Sequence, residues 1–198
     1  AAHEDGKADY SSEVGTLASA GGDAVAVIGY LDQGGKGIIQ GSLDSGAFDT
    51  FILSDGMIGD SLTDTFGKSL NKSFGSLPGS TGKGAGIFAK VAGKAGIDPS
   101  GPYTGESYDA AALIVLAMQA GGSADRGSIA KNVMAVANGP GKKIYPGQLK
   151  KALDLLAKGK AIDYEGATGV VFTDVGEHVG NFLEKEVKGG KFKTKKQR

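Results

Sequence analysis

The sequence has no cysteine, only two histidines, no excess of either charge and no long apolar run. Without cysteine there can be no disulfide, thiolate metal site or cysteine nucleophile. The compartment stays open, because an oxidising space permits disulfides without requiring them. Lys+Arg and Asp+Glu number 22 each, so no overall field draws nucleic acid or an anionic membrane. The longest apolar run, Ala110 to Met118, has the length of a core helix and falls well short of the roughly 18 residues of a membrane span. The first residues, AAHEDGKADY, lack the basic start and apolar centre of a signal peptide, so any export signal lies outside these residues.

Catalytic chemistry is equally scarce. His3 and His178 stand apart from carboxylates at metal-ligand spacing and read as surface residues, so neither a metal nor a cofactor is expected. No serine lies in a G-x-S-x-G elbow, and the acids Glu165, Asp174 and Glu177 sit near turns, where solvated carboxylates normally are. Gly82-Lys83 supplies the last pair of a phosphate loop but fails its pattern: Leu77 stands where the first glycine belongs, and Gly84 follows Lys83 in place of a hydroxyl residue. Gly34-Gly35-Lys36-Gly37 lacks dinucleotide spacing and reads as the start of a helix, whose backbone N–H groups could still face a ligand.

Glycine, by contrast, is abundant: 35 of 198 residues, against roughly 7% in average usage. Gly41, Gly93 and Gly127 fall where helix interiors are expected, each costing about 1 kcal/mol relative to alanine. At this length the chain suits one ordinary domain or two small ones.

The organising stretch is Gly22 to Gly56. Ala24 to Gly29 and Thr50 to Leu53 are short apolar runs of the kind buried on both faces of a parallel sheet. Between them Ile38, Ile39 and Leu43 recur at helical spacing, which predicts a β-α-β unit. Ligands of such units bind beyond the carboxyl ends of the strands, where Tyr30 and Asp55 stand. Taken singly, Tyr30 reads as strand-end packing and Asp55, in Ser-Asp-Gly, as a turn former. Together with Tyr103 in SGPYTG they offer an acid for an ammonium group and rings to cover a ligand.

The rest reads in order. A helix opens at Tyr10, capped by Ser11 or Ser12, with Val14, Leu17 and Ala18 on one face. Ser61 to Phe66 predicts a short helix and Lys72 to Leu77 a short strand, with Pro78-Gly79 as a boundary. Gly82 to Gly96 predicts a helix, Asp98 to Pro102 a turn, and Glu106 to Ala120 a helix apolar on nearly all sides and therefore buried. A helix capped by Ser123 or Asp125 runs to Ala137, and another follows Pro146 with Leu149, Ala152, Leu153 and Leu156. Thr168 to Phe172 and Asn181 to Val187 predict strands, Gly189-Gly190 a hairpin turn. The basic end, KFKTKKQR, reads as a solvated, frayed tail.

Several segments, DYSSEV, DAVAVIGY, DSGAF, ILSDG, DPSGPY with ESYDAAAL, and DYEGATGVVFTDVGE with FLEKEVKGGKF, resemble the branched-chain amino-acid periplasmic binding proteins of ABC importers, the type I solute-binding fold. The resemblance implies an α/β fold, a parallel sheet flanked by helices, with the family's N-terminal half without a counterpart here. It implies a C-terminal-lobe segment over 1–80, a helical segment of the N-terminal lobe over 81–170, and strands returning across the hinge over 171–198.

By the same resemblance Asp55 would hold the ligand's ammonium group, beside Gly56, with Tyr30 and Tyr103 as aromatic cover; an extra residue in the loop leaves Leu31 as the alternative to Tyr30. The implied function is capture of an amino acid or small amide by hinge closure, without turnover, by a monomer that delivers to a membrane ABC permease in the periplasm. A ligand-sensing receptor domain of the same fold and an α/β enzyme are the alternatives.

Overall fold

All 198 residues are described by the computed structural model, which divides into two units. Unit 1 comprises Ala1–Pro78 and Phe182–Arg198, and unit 2 comprises Gly79–Asn181.

In unit 1, α1 (Ser11–Ala20) buries Val14. Its start is held by Asp9, whose carboxylate accepts from the Ser11 N–H at 3.0 Å and the Ser11 hydroxyl at 2.6 Å. The expected Ser11 or Ser12 cap is corrected accordingly: the N-cap position is Tyr10, and the two serines are the first and second residues of the helix itself. The predicted β-α-β unit forms as β1 (Val25–Val27), α2 (Lys36–Ser45) and β2 (Phe51–Leu53). Ile38 and Ile39 are the buried stripe of α2, which ends at Gly46 in the left-handed region (φ 68°), a conformation glycine adopts without a Cβ penalty. A short helix, α3 (Asp60–Phe66), and β3 (Phe74–Pro78) follow.

Chain-terminal residues complete the sheet. β6 (Phe182–Lys188) and β7 (Lys191–Gln197) join it in the order β1-β2-β3-β6-β7, parallel through β3 and antiparallel beyond. The expected frayed tail is therefore an ordered strand. Two of its four lysines meet acids: Glu184, on β6, takes both Lys195 and Arg198, and Lys191 pairs with Asp64 of α3. One face of the sheet packs Val25, Val27, Phe51, Leu53 and Leu77 into the core with Ile39, Met57 and Leu62. The other face is open, with Ala26, Ile52 and Phe74 exposed. Burial on both faces is thus corrected to burial on one.

In unit 2, α5 (Thr104–Gly121), α6 (Arg126–Ala137) and α7 (Leu149–Leu156) pack with a two-stranded parallel sheet of β4 (Lys142–Ile144) and β5 (Ile162–Tyr164), and α4 (Lys83–Lys94) packs Phe88 and Ala92 against Ala167 in the turn after β5. Neither strand was expected, since KKI and IDY show no clear period. Ile144, Ile162 and Tyr164 nevertheless sit in the core with Leu116 and Val136. Helix α5 buries Leu113, Leu116 and Ala117 but exposes Ile114 and Val115, so it is covered on one side only. Thr168 to Phe172, expected as a strand, is a turn followed by an isolated bridge from Phe172 to His178. Its N–H groups find partners outside any neighbouring strand: that of Thr168 goes to the buried Asp109, those of Gly169 and Val170 to the Glu165 carbonyl, and that of Phe172 to the Asn138 side chain.

Candidate functional site

The parallel register of Val27 with Leu53 places the carboxyl ends of β1 and β2 side by side. The loops that leave them meet there. Ser54 is the tie: its N–H donates to the Val27 carbonyl at 3.1 Å, and its hydroxyl accepts from the Gly29 N–H at 3.2 Å while lying 3.3 Å from the Gly29 carbonyl. Ser54 was not singled out in the sequence; its position, one residue past an apolar triplet, was the available signal.

Asp55 opens a 3-10 turn, Asp55–Met57, and its Oδ1 accepts from the Gly56 N–H at 2.8 Å, the turn chemistry expected of Ser-Asp-Gly. Gly56 is sterically required. A Cβ there would lie 2.5 Å from the Gly29 carbonyl oxygen and 2.8 Å from Cδ1 of Tyr30, so the Tyr30 ring rests directly on the Gly56 backbone. Tyr30 itself is 63% exposed. The structure thus brings Tyr30, Asp55 and Gly56 together in one unit at the strand ends. Leu31 turns the other way: it is half-buried against the unit 1 core and 2.9 Å from where a Gly59 side chain would begin.

The approach to α2 explains why Tyr30 can be held in this position. Leu31–Gly35 forms a wide helical turn kinked at Gln33 and Gly34, with Gly34 at φ 115°, a conformation open to glycine alone at low cost. The Tyr30 carbonyl accepts from both Gln33 and Gly35 N–H groups at 3.2 and 3.1 Å. Behind the turn lies Tyr10, buried, with its hydroxyl donating to the Glu4 carbonyl at 3.1 Å and accepting from the Lys7 N–H. His3 stacks edge-on against it, ring centroids 5.9 Å apart. His3 is half-buried with its Nδ1 enclosed, which corrects its reading as a surface residue.

Tyr103 belongs to unit 2. It precedes α5 with φ 59° and ψ 10°, the one non-glycine residue at positive φ, a conformation that costs of order 1 kcal/mol or more. Behind it, the turn after β5 is pinned to α5 by Asp109. That buried carboxylate accepts from the Tyr164 hydroxyl at 2.9 Å, the Ala167 N–H at 2.8 Å, and the Thr168 N–H and hydroxyl, each at 2.8 Å. Burial first, and then the Asp109 charge, push the Tyr164 phenol well above its usual range, so it remains a donor. Asp109 was not singled out in the sequence; the available signal was a lone charge between Glu106 and the end of an otherwise uncharged helix.

The architecture, a central sheet flanked by helices, is the type I periplasmic-binding-protein fold. It is shared with a leucine-binding protein, LivK, from Thermotoga maritima: TM-score 0.70 and 19% identity, covering 97% of this chain and 49% of that one. A periplasmic binding protein type 1 from Bordetella pertussis Tohama I aligns with TM-score 0.64 and 20% identity, over 98% of this chain and 50% of that one. A solute-binding protein of an ABC transporter from R. palustris, in complex with benzoate, aligns with TM-score 0.60 and 16% identity, over 97% and 47%.

In sequence, the substrate-binding protein BasB of a chemotactic signal transduction system from Halobacterium salinarum is 40% identical over 73 residues, 37% of this chain and 18% of that protein. No family model matches the chain. The chain spans about half the length of the structures whose fold it shares, and those structures are solute-binding or ligand-binding proteins.

Proposed function

We propose that this protein is the ligand-capturing component of an ABC-type uptake system, taking an amino acid or a related small amide outside the cytoplasm and handing it to a membrane permease. The observation that supports this most is the meeting of Tyr30, Asp55 and Gly56 at the carboxyl ends of two parallel strands, where open α/β sheets bind ligands. In this reading Asp55 receives the ligand's ammonium group by a charge-assisted hydrogen bond, the exposed Tyr30 ring covers its apolar part, and Leu31 supports the loop from the core side. Tyr103, held in a left-handed conformation of the kind found at functional sites, is proposed separately as an aromatic ligand contact of unit 2. The protein binds and releases; nothing is turned over.

The resemblance to BasB favours a second reading in which the same site serves a chemotactic receptor in place of a permease. Both readings need the same first experiment. Leucine, isoleucine, valine, small amides and benzoate are titrated calorimetrically against the wild type and Asp55→Asn. The expected result is binding of an amine-bearing ligand, weakened in the variant by about 1.5–3 kcal/mol. Unchanged affinity removes Asp55 from the site, and binding of benzoate alone overturns the amine reading.

A further inference from the structure

Charge is balanced over the whole chain but not within unit 2. Residues 83–94 and 142–160 together hold nine lysines and one acid, Asp154. Lys143 is engaged by Glu165 and Asp163, and Lys150 by Asp154. The others are Lys83, Lys90 and Lys94 on α4, Lys151 on α7 and Lys158 just after it, Lys142 opening β4 and Lys160 before β5. All are exposed, and no carboxylate pairs with any of them.

The fold brings these lysines onto neighbouring elements. On α4 they recur at i, i+7 and i+11, within about 40° of one another around the axis and clear of the buried Gly84, Phe88 and Ala92. Val91, flanking that stripe, reaches the start of α7: a Cβ at Gly147 would lie 3.2 Å from its Cγ2. Lys83 stands 4.6 Å over the Tyr145 ring just before α7. On α7, Lys151 and Lys158 are two turns apart and turned away from Leu149, Leu153 and Leu156, which pack on the core. With Gly147, Gln148 and Leu155 they line a shallow cleft of about 430 Å³. Beyond it the Lys160 N–H donates to the Leu155 carbonyl at 3.0 Å and the Lys142 N–H to the Ala161 carbonyl at 3.3 Å, so the last two lysines adjoin Lys158.

Helix stability does not account for this placement. Lys94, in the last turn of α4, complements the helix dipole, but Lys83 opens α4, and Lys150 and Lys151 stand in the first turn of α7, where a cation meets the positive end. Neither first turn holds an acid. The composition narrows the partner. Every cation is lysine, a hydrated point charge on a flexible stem, without the guanidinium fork that reads a single carboxylate or phosphate. Lysine is depleted at protein interfaces, and nucleic-acid bases need open rings to stack on, whereas Tyr108 and Tyr145 are half-buried. A surface of many mobile negative charges is what this row of lysines fits.

We propose that the lysine face of α4, α7 and the adjoining starts of β4 and β5 docks unit 2 on an anionic lipid bilayer. The ammonium groups are drawn to headgroup phosphates, each lysine adding about fivefold to the partitioning, and the attraction is screened by salt. The proposal is independent of the ligand site in unit 1.

The test is co-sedimentation of the 198-residue chain with vesicles of phosphatidylcholine, alone or with about one-third phosphatidylglycerol, in low salt and in about 0.5 M salt. Two variants of equal net charge are compared: Lys151→Glu with Lys158→Glu, and Lys193→Glu with Lys196→Glu on the exposed strand β7 of unit 1. Thermal midpoints verify that both fold. The wild type should bind only the anionic vesicles and only in low salt, the β7 variant within about threefold of it, and the α7 variant about a hundredfold more weakly. On the unaltered chain, acetylation of Lys90, Lys151 and Lys158 should slow on the vesicles while that of Lys193 does not. Absence of wild-type binding to the anionic vesicles overturns the proposal, as do uniform acetylation rates or a loss in the α7 variant no greater than in the β7 variant. Displacement by a DNA duplex or polyglutamate at a lower charge concentration than the lipid overturns it too, and assigns the face to nucleic acid or to an acidic protein.

Discussion

Both units must hold a loop in place just past the end of a parallel strand, and they do so by different physics. In unit 1 the loops after β1 and β2 are held by close approach of backbone, with Gly56 against the Gly29 carbonyl and the Tyr30 ring and Gly35 against Met57. In unit 2 the turn after β5 is held by one buried carboxylate, Asp109, accepting from Tyr164, Ala167 and Thr168. The first arrangement tolerates no added atom, the second no lost acceptor. Steric holding leaves Tyr30 and Asp55 at the surface of unit 1; polar holding uses its acid internally. The comparison also separates two aspartates that look alike in sequence: Asp55 caps its own turn at the surface, and Asp109 organises a core.

The sharpest way to break this contrast is Asp109→Ala, which leaves two backbone N–H groups and two hydroxyls without their acceptor. A loss of about 3–5 kcal/mol is expected, read as a fall in the urea midpoint of unit 2 elements, with the probes of unit 1 less affected. A loss below about 1 kcal/mol would mean that water replaces the carboxylate and that the turn does not depend on it. Gly56→Ala is the counterpart in unit 1. Overpacking against backbone should cost about 1–3 kcal/mol and displace the Tyr30 ring; ligand affinity that survives the substitution unchanged would show that the close approach is structural only.

Smaller effects test the glycine economy of the chain. A Cβ at Gly93, inside α4, would meet nothing within 4 Å, so Gly93→Ala should stabilise the protein by about 0.5–1 kcal/mol, visible as a raised thermal midpoint. The smallest is a pH effect at the surface of unit 1. The hydrogen bond from Lys7, 2.5 Å away, holds the Glu13 carboxyl down at about 2 from its ordinary 4.5. A folded-state value below the unfolded one means that this contribution is present above pH 4.5 and is lost as the pH falls from there to 2. Glu13→Gln should flatten the stability profile in that window; an unchanged slope would show the pair to be fully screened.

What could be read in advance follows the range of the interactions involved. The β-α-β unit was legible because Val25, Val27, Ile38, Ile39, Phe51 and Leu53 announce their periods locally, and with it the positions of Tyr30 and Asp55 at the strand ends. The Gly189-Gly190 hairpin was legible from its turn residues. β4 and β5 were not, since Lys142–Ile144 and Ile162–Tyr164 become strands by pairing with each other across twenty residues. Nor was β7, whose lysines looked solvated until Glu184 and Asp64 were set beside them.

By itself the sequence determined the apolar periods, the glycines that allow the chain to turn at Gly34 and Gly46, and the absence of cysteine chemistry, because these depend on near neighbours and on composition. Only the tertiary structure decided that Gly56 must be glycine, that Ser54 ties two loops, that Asp109 is buried and fully engaged, and that one face of the β1–β3 sheet is open. Each of those rests on a contact between residues at least 25 positions apart or on the exposure of a whole surface, and neither is encoded in any local stretch of the chain.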